Sequence, residues 1–268
     1  MLVCHFVDGA EPTLADKETV MASVDPEITF SESDGIRYLH FGTEWVHGAM
    51  SLARPNDPVI PYIRQMMGWL LFLRAGQSIL QLGLGAGALA KFCHARLPEA
   101  RITAVDLSPR VIQACRTSFR LPADDARLSV VCDDGERFVR QSAPKSYGVV
   151  QVDVYDALAQ GPVLDSLEFY SACRTALTEP GIMVVNLFGT HDSFAKNEAR
   201  IRRAFNNCVL RMPQLESGNV VLLGFRGPPF RMGWRALNAR ARLLSRKLGL
   251  EAPEWVAGLR DTNDGLLR

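Results

Sequence analysis

The sequence predicts an α/β protein built on a doubly wound, mostly parallel seven-stranded sheet, with a small N-terminal β-hairpin section. From residue 78 onward, short apolar runs alternate with segments of helical spacing, which is typical of a parallel sheet covered by helices. Two later apolar runs flank the turn residues 216–219, which predicts an antiparallel hairpin at one edge of the sheet. Near the N-terminus, Asp34-Gly35 separates two alternating runs and suits the positive φ angles of a tight turn.

The individual strands and helices follow from the length and spacing of the apolar runs. Five runs are predicted to be buried parallel strands: Ser78–Leu84, Arg101–Leu107, Leu128–Cys132, Gly148–Asp153 and Gly181–Leu187. An apolar helix is predicted before them, and further helices between and after them: Val59–Phe72, Ala88–Leu97, Pro109–Phe119, Glu136–Gln141, Ser166–Leu177 and Ser193–Asn206. The edge hairpin is predicted at Cys208–Met212 and Val220–Phe225. This layout is Rossmann-like, of the class I S-adenosylmethionine-dependent methyltransferase type.

Composition and charge limit the protein class. The chain has 30 Lys and Arg against 29 Asp and Glu, so no global field attracts nucleic acid or a membrane surface. The N-terminus lacks the basic segment of a signal peptide, and the apolar run Met66–Leu73 is too short to span a membrane. The 6 cysteines, Cys132 among them, show no metal-type spacing and have mostly apolar neighbours, which predicts reduced core residues and no metal site. We expect a cytoplasmic protein. Its three predicted sections are an N-terminal hairpin section at residues 1–57, a nucleoside-binding domain at 58–230, and a basic helix with a tail at 231–268.

A glycine-rich turn after the first parallel strand predicts a nucleoside-type ligand. Gln81 is followed by Gly83, Gly85 and Gly87 just before a helix begins. Glycines let the backbone turn sharply and approach a ligand closely, and the helix N-terminus presents free N–H groups. The same pattern also fits a dinucleotide, or a glycine turn that binds nothing.

Acidic residues follow three successive strands. Asp106-Leu107 ends the second strand, where a carboxylate can accept both ribose hydroxyls. Asp133-Asp134-Gly135 ends the third strand, where an acid can accept an adenine amino group, and Asp153 ends the fourth. Ligands of open α/β sheets lie outside the carboxyl ends of the strands, so these residues are predicted to line one crevice. Each aspartate could instead cap a helix.

Three sequence elements within about residues 37–188 resemble the polyamine aminopropyltransferases, the spermidine synthase family. They are Asp134-Gly-Glu-Arg-Phe138, Tyr147-Gly-Val-Val-Gln-Val-Asp153-Val-Tyr-Asp156, and Phe169-Tyr170 ahead of Leu177-Thr-Glu-Pro-Gly181. The resemblance implies that decarboxylated S-adenosylmethionine binds at the glycine turn and the strand-end acids, and that its aminopropyl group moves to an amine. It also implies that Asp153 is the catalytic base, which takes a proton from the amine before its nitrogen attacks. Asp156 would hold and orient the amine.

The acceptor side departs from the family pattern. The family's glycine-loop acid is replaced by Ala86, and its DExxYHE element aligns with residues 58–64, where Tyr62 alone survives. Pro58 and Val59 replace two of the acids, Arg64 replaces a third, and His47 lies near the position of an upstream Gln. Tyr62 and His47 are therefore candidate substrate-binding residues. The lost carboxylates argue against putrescine, a dication, as the acceptor.

Two other functions fit the same sequence, and two general expectations remain. The chain could be a methyltransferase that uses intact S-adenosylmethionine, or a nucleoside-binding protein without catalysis. Residues 217–250 contain no acid and predict a basic amphipathic helix that packs on the domain, with binding of nucleic acid or an acidic partner as the alternative. We expect a homodimer with a small-molecule amine acceptor, and neither nucleic acid nor membrane as a partner.

Overall fold

The structure, a computed structural model, describes residues 27–155, 163–228 and 232–263. Three N-terminal strands form an antiparallel sheet in the order β1-β2-β3: β1 (Ile28–Ser33), β2 (Ile36–Phe41) and β3 (Gly48–Ser51). Seven strands form the main sheet: β4 (Ser78–Leu82), β5 (Arg101–Asp106), β6 (Leu128–Cys132), β7 (Tyr147–Val152), β8 (Leu177–Phe188), β9 (Val209–Arg211) and β10 (Asn219–Arg226).

The main sheet confirms the predicted fold class. Its strand order is β6-β5-β4-β7-β8-β10-β9. The five strands from β6 to β8 pair in parallel, whereas β10 pairs antiparallel with both β8 and β9. The order reverses at β4, so the crevice between the loops after β4 and β7 is the topological switch point at which such sheets bind ligands.

Helices cover both faces of the main sheet. They are α1 (Pro61–Gln65), a 3₁₀ helix (Met66–Leu71), α2 (Ala88–Arg96), α3 (Pro109–Ser118), α4 (Gly135–Gln141), α5 (Leu167–Ala176), α6 (Phe194–Ala204), α7 (Trp234–Leu248) and α8 (Ala252–Thr262). Successive strand residues point to opposite faces of a sheet. Accordingly Ile79 packs with the 3₁₀ helix, α2, α7 and α8, while Leu80 packs with α5 and α6. In the described ranges, no helix is long and apolar enough to cross a bilayer.

The N-terminal hairpin forms as predicted, and a third strand joins it. Asp34 and Gly35 have φ angles of 52° and 74°, the left-handed region that a two-residue hairpin turn requires. Strand β3, which we did not predict, pairs with β2 and packs against the main domain. A Cβ atom added to Gly48 would lie 2.5 Å from the Cβ of Ala86, so this strand touches the glycine turn directly.

Three predictions about local structure were wrong. The predicted single helix Val59–Phe72 is instead the short helix α1 followed by the 3₁₀ helix. Every residue of the 3₁₀ helix is buried, so the spacing of apolar residues does not show where one helix type gives way to the other. The expected C-terminal tail contains a second helix, α8, which packs on α7 through Trp255 and Leu259. Cys132 and Cys208 are exposed and not core residues, because both lie at strand ends; no disulfide forms among the described cysteines.

The basic helix α7 packs on the domain. Leu237, Ala241 and Leu244 are buried in the core that also contains the 3₁₀ helix. The guanidinium of Arg240 donates hydrogen bonds to the carbonyl oxygens of Leu70 and Leu73, where the 3₁₀ helix ends. Arg240 of this basic helix therefore provides hydrogen bonds to backbone carbonyl groups of the protein itself instead of facing an acidic partner.

Candidate active site

The glycine turn after β4 is held in a shape that larger residues could not adopt. Gly83, Gly85 and Gly87 have φ angles of 88°, 51° and 68°. A Cβ on Gly83 would lie 2.1 Å from the carbonyl oxygen of Asp153, and a Cβ on Gly85 would lie 2.9 Å from that of His47. The turn is thus pressed between the end of β7 and the approach to β3, and it leaves its backbone facing the space between them.

Strand register brings the candidate residues to one edge of the sheet. Leu82 lies beside Val152, and Val152 lies beside Val185 in the next strand. The residues that follow, Gly83, Asp153 and Asn186, therefore stand side by side at the carboxyl ends of β4, β7 and β8. The backbone N–H of Asp153 donates to the carbonyl oxygen of Leu82 at 2.9 Å and extends this register by one residue.

Asp106 joins the glycine turn to the next loop. Its Oδ2 accepts a 2.9 Å hydrogen bond from the Leu84 N–H, and its Oδ1 accepts one of 2.9 Å from the Ser108 N–H. Ser108, and not Asp106, is the N-cap of α3, since its hydroxyl accepts from the Val111 N–H. The carboxylate is thereby fixed beside the glycine turn, at the end of β5.

The acids after β6 have hydrogen-bond and ion-pair partners within the protein. The side chain of Asp134 accepts a 2.7 Å hydrogen bond from the Arg137 N–H and caps α4. The Asp133 carboxylate forms an ion pair with the Arg137 guanidinium. The backbone N–H of Asp133 donates to the Asp106 carbonyl oxygen at 3.1 Å. Gly135 begins α4 and packs near Leu164. The helix-capping alternative accounts for Asp134, while both acids still lie next to the end of β5.

A cavity opens between the glycine turn, α1 and the segment before β3. It is lined by His47, Gly48, Ala49, Ile60, Ile63, Gly83, Leu84, Gly85, Ala86, Ala88, Leu89 and Asp153. Within the part of the chain that the structure describes, Asp153 is the single acid of this lining, and most of the other side chains are apolar. Asp153 is therefore the described lining residue that could supply a counter-charge to a cationic group in the cavity.

Asp153 is held by two hydrogen-bond donors. The Tyr62 hydroxyl of α1 donates to Oδ2 at 3.2 Å, and the Asn186 Nδ2 of β8 donates to Oδ1 at 3.0 Å. Burial raises the pKa of this carboxyl from 3.8 to about 6, and the two hydrogen bonds oppose that rise. Burial, together with the nearby Asp153 charge, raises the pKa of Tyr62 well above its usual value, so the phenol stays protonated and remains a donor. A partly buried carboxylate with a pKa near neutrality is suited to accept a proton from a substrate.

The other positions singled out on the acceptor side have diverse surroundings. His47 lines the cavity and stacks on Phe41 with ring centroids 4.1 Å apart. Arg64 turns away toward the C-terminal helices, where it pairs with Glu251 and donates to the Pro58 carbonyl oxygen at 3.3 Å. Ala86 is buried in a small core with Leu39, Met50 and Phe119. A packed core residue therefore occupies the place of the family's glycine-loop acid.

Of the predicted site residues that the structure describes, His47, Gly83, Gly85 and Asp153 line the cavity, and the others do not: Tyr62, Gln81, Gly87, Asp106, Leu107, Asp133, Asp134 and Gly135. Gln81 is 1% exposed, and its amide donates to the Gln151 Oε1 at 3.0 Å inside the protein, so its side chain is a core group and the prediction that it binds the cofactor was wrong. Leu107 is 48% exposed at the end of β5, beside the acids but outside the cavity lining. Asp156 lies outside the described residues.

Sequence reasoning missed the polar groups behind Asp153. Asn219 Nδ2 of β10 donates to the Asn186 Oδ1 at 3.1 Å, and the Ser217 hydroxyl donates to the Asn219 Oδ1 at 2.7 Å. The Tyr155 hydroxyl donates to the Asn186 carbonyl oxygen at 3.0 Å. The available signal was an asparagine in each of two otherwise apolar strands, because a buried amide needs partners.

Comparisons with known proteins show the family of this chain. A family model for the spermine/spermidine synthase domain matches residues 73–223. The polyamine aminopropyltransferase of Chromobacterium violaceum is 35% identical over 238 residues, which cover 89% of this chain and 91% of that protein.

Solved structures show the same fold. The crystal structure of a probable spermidine synthase from Corynebacterium glutamicum matches with a TM-score of 0.69 and 22% identity, over 90% of this chain and 91% of that one. Human methyltransferase-like protein 13, solved in complex with SAH, matches with a TM-score of 0.61 and 20% identity, over 71% of this chain and 93% of that one. The resemblance predicted from the three motifs is confirmed: this chain belongs to the spermine/spermidine synthase family.

Proposed function

We propose that this protein is a transferase that moves the aminopropyl group of decarboxylated S-adenosylmethionine to a small-molecule amine, with Asp153 as the catalytic base. The observation that carries the proposal is Asp153, whose carboxylate is held by Tyr62 and Asn186 and which lines a cavity together with the glycine turn. The family supplies the reaction class, and the raised pKa of Asp153 to about 6 suits a base that must work near neutral pH.

The chemistry requires one proton transfer and one displacement. The ammonium form of the acceptor has no lone pair, so Asp153 first takes a proton from it. The amine nitrogen then attacks the aminopropyl carbon bonded to sulfur, and the C–S bond breaks as the new C–N bond forms. Sulfur keeps the electron pair of the broken bond and leaves as the neutral thioether of 5′-methylthioadenosine. Because the sulfonium carries a positive charge before this step, the nearby carboxylate also favours its binding.

The nucleoside would lie across the ends of β4, β5 and β6. Asp106, already fixed by the Leu84 and Ser108 N–H groups, is placed to accept ribose hydroxyls. Asp133 and Asp134 follow β6 and are the candidates for contact with adenine. Gly83, Gly85 and Gly87 would let the backbone approach the sulfur-bearing part of the molecule.

The acceptor is proposed to carry fewer positive charges than putrescine. Asp153 is the single acid among the described cavity residues, and Ala86 lies in a packed core. Each missing charged hydrogen bond is worth about 1–3 kcal/mol, so a second ammonium group would lack the compensation it needs on leaving water. Asp156, proposed to hold and orient the amine, would supply one further carboxylate.

Calorimetry and product analysis test the proposal together. Purified protein is titrated with decarboxylated and with intact S-adenosylmethionine, and is then incubated with the decarboxylated form and a panel of monoamines and diamines. We expect tighter binding of the decarboxylated form, release of 5′-methylthioadenosine, and a mass gain of one aminopropyl group in the accepted amine. Preference for the intact form with methylated products would show that the protein is a methyltransferase, and binding without turnover would make it a nucleoside-binding protein.

Assembly and location complete the proposal. We propose a homodimer in the cytoplasm, in which the N-terminal sheet section contributes to the contact between two copies. The support is its exposed apolar side chains, Phe30, Trp45 and Val46, of which Trp45 is 49% exposed. Light scattering should give twice the mass of one chain, and the double variant Phe30→Ser and Trp45→Ser should give a single-chain mass.

A further inference from the structure

Behind Asp153 lies a line of polar side chains, Ser217, Asn219 and Asn186, which we call the amide chain. It runs from the turn before β10 across β10 and β8 to the carboxylate. Its three side-chain hydrogen bonds measure 2.7, 3.1 and 3.0 Å. We propose that Asn219 is a positioning residue that fixes the amide of Asn186, so that Asn186 presents its N–H to Asp153. This inference rests on the proposed role of Asp153 as the base.

Strand register explains how two asparagines on neighbouring strands meet. Asn186 lies directly opposite Val221 in the antiparallel pair of β8 and β10. Asn219 is two residues from Val221, so it points to the same face and is the diagonal neighbour of Asn186. Asn186 is 2% exposed and Asn219 is 8% exposed, so water cannot replace either partner freely.

The direction of the hydrogen bonds follows from the chemistry of the two ends. An ionised carboxylate only accepts, so Asn186 must turn its Nδ2 toward Asp153 and its Oδ1 away. That oxygen accepts from the Asn219 Nδ2, and the Asn219 oxygen in turn accepts from the Ser217 hydroxyl. Every donor in the amide chain is thus directed toward the carboxylate. Without Asn219, the Asn186 Oδ1 loses this donor, and the orientation of the amide depends on the charge of the Asp153 carboxylate alone. Once Asp153 is protonated, the opposite rotamer can then accept its proton, which stabilises the neutral acid.

Other groups near the carboxylate do not substitute for this function. Among the described residues, the titratable groups that face Asp153 are Tyr62 on α1 and Tyr155 after β7. Burial raises the pKa of both phenols, so both are neutral at physiological pH. Tyr155 donates to the backbone carbonyl oxygen of Asn186, and this bond does not set the orientation of the side-chain amide. His47 lines the same cavity from the segment before β3.

The experiment measures the titration of the Asp153 carboxyl directly. Protein labelled with ¹³C at the aspartate side-chain carbonyl is titrated by NMR, and the Asp153 signal is the one that Asp153→Asn removes. We expect Asn219→Leu to raise the pKa of Asp153 by about one pH unit, because the ionised form loses an aligned donor. In turnover assays, the acidic limb of the pH profile should move by the same amount, and activity should recover at higher pH.

A matched control separates positioning from simple loss of stability. Asn263 is also a buried asparagine, 5% exposed, and hydrogen-bonds to the backbone of Arg211 and Leu259 where α8 meets β9. Asn263→Leu should lower the melting temperature and leave the Asp153 titration unchanged. If Asn219→Leu does not fold, the same titration is made on Ser217→Ala. We expect this variant to raise the pKa of Asp153 by a smaller amount.

The outcomes are distinct. An unchanged Asp153 titration in a folded Asn219→Leu variant, or in Ser217→Ala if the first variant fails to fold, overturns the inference. A shift that the Asn263→Leu control shows equally also overturns it. Because the titration needs no substrate, a shift in a protein without turnover would contradict the proposed function and leave the positioning role intact.

Discussion

Replacing Asp153 with asparagine should abolish turnover and make the protein more stable at neutral pH. Asparagine keeps the shape of the side chain and can still accept the hydrogen bond from Asn186, but it cannot take a proton. A positioned general base contributes about 10²–10⁴-fold to a rate, and we expect turnover to fall by at least the lower figure. Binding of 5′-methylthioadenosine should change little, because Asp106 and the glycine turn are untouched.

The gain in stability follows from the pKa of the carboxyl. Burial raises it from 3.8 in the unfolded chain to about 6 in the folded protein. As the pH rises between these values, the unfolded chain releases its proton first, so stability falls across this window and the loss is complete above about pH 6. About two pH units at 1.36 kcal/mol each amount to about 3 kcal/mol, which is the upper limit of the penalty that asparagine would remove.

Thermal melts at two pH values provide the assay. At pH 7.5 the Asp153→Asn variant should melt several degrees above the unmodified protein, since 1 kcal/mol corresponds to about 2–4 °C in proteins of this size. At pH 4 the two melting temperatures should converge. An equal or lower melting temperature at pH 7.5 would show that the carboxylate is not desolvated, and retained turnover would remove Asp153 from the role of base.

Three further substitutions test the surroundings of the cavity. Asp106→Ala should weaken binding of 5′-methylthioadenosine in calorimetry at least tenfold, from the loss of charged hydrogen bonds worth about 1–3 kcal/mol each; an unchanged affinity would place the ribose elsewhere. Ala86→Asp should lower the melting temperature and fail to improve binding of decarboxylated S-adenosylmethionine, because it buries an unpaired charge against Gly48; tighter binding would show that the family acid can still be accommodated. Arg64→Ala should lower the melting temperature by loosening the ion pair with Glu251, while nucleoside affinity stays the same; reduced affinity would return Arg64 to the site.

The main sheet could be predicted because its apolar runs are short, regular and separated by turn residues. The predicted strand Leu128–Cys132 matches β6, and the predicted strand Val220–Phe225 lies within β10. The hairpin at Asp34-Gly35 was predictable for a local reason, the need for positive φ at both turn residues. Such signals depend on neighbouring residues, so a single sequence carries them.

Elements whose shape depends on distant contacts could not be predicted. The segment Met66–Leu71 is apolar on every side, and its 3₁₀ form depends on packing and on Arg240, which reaches its last carbonyl groups from α7. Strand β3 has four residues, and its pairing with β2 and its approach to Ala86 arise only in the folded protein. Neither feature leaves a periodic pattern in the sequence.

The same distinction between local signals and distant contacts applies to the candidate site. The positions of Asp106 and Asp153 at strand ends could be predicted, because each follows an apolar run of strand length. The hydrogen bond from Asn219 of β10 to Asn186 of β8, the partner of Asp153, could not, since the antiparallel register that joins them is a tertiary feature. Gln81 was misassigned because a strand-end polar residue can point either to the crevice or into the core.

Asp153 is proposed to take a proton from an amine beside the glycine turn. A crystal structure of the protein with 5′-methylthioadenosine and an accepted amine would test this role. We expect the ribose at Asp106, the sulfur beside the glycine turn, and the amine nitrogen within hydrogen-bonding distance of the Asp153 carboxylate. A nucleoside bound away from the ends of β4 and β5, or an amine that contacts other groups and leaves Asp153 unoccupied, would contradict the account.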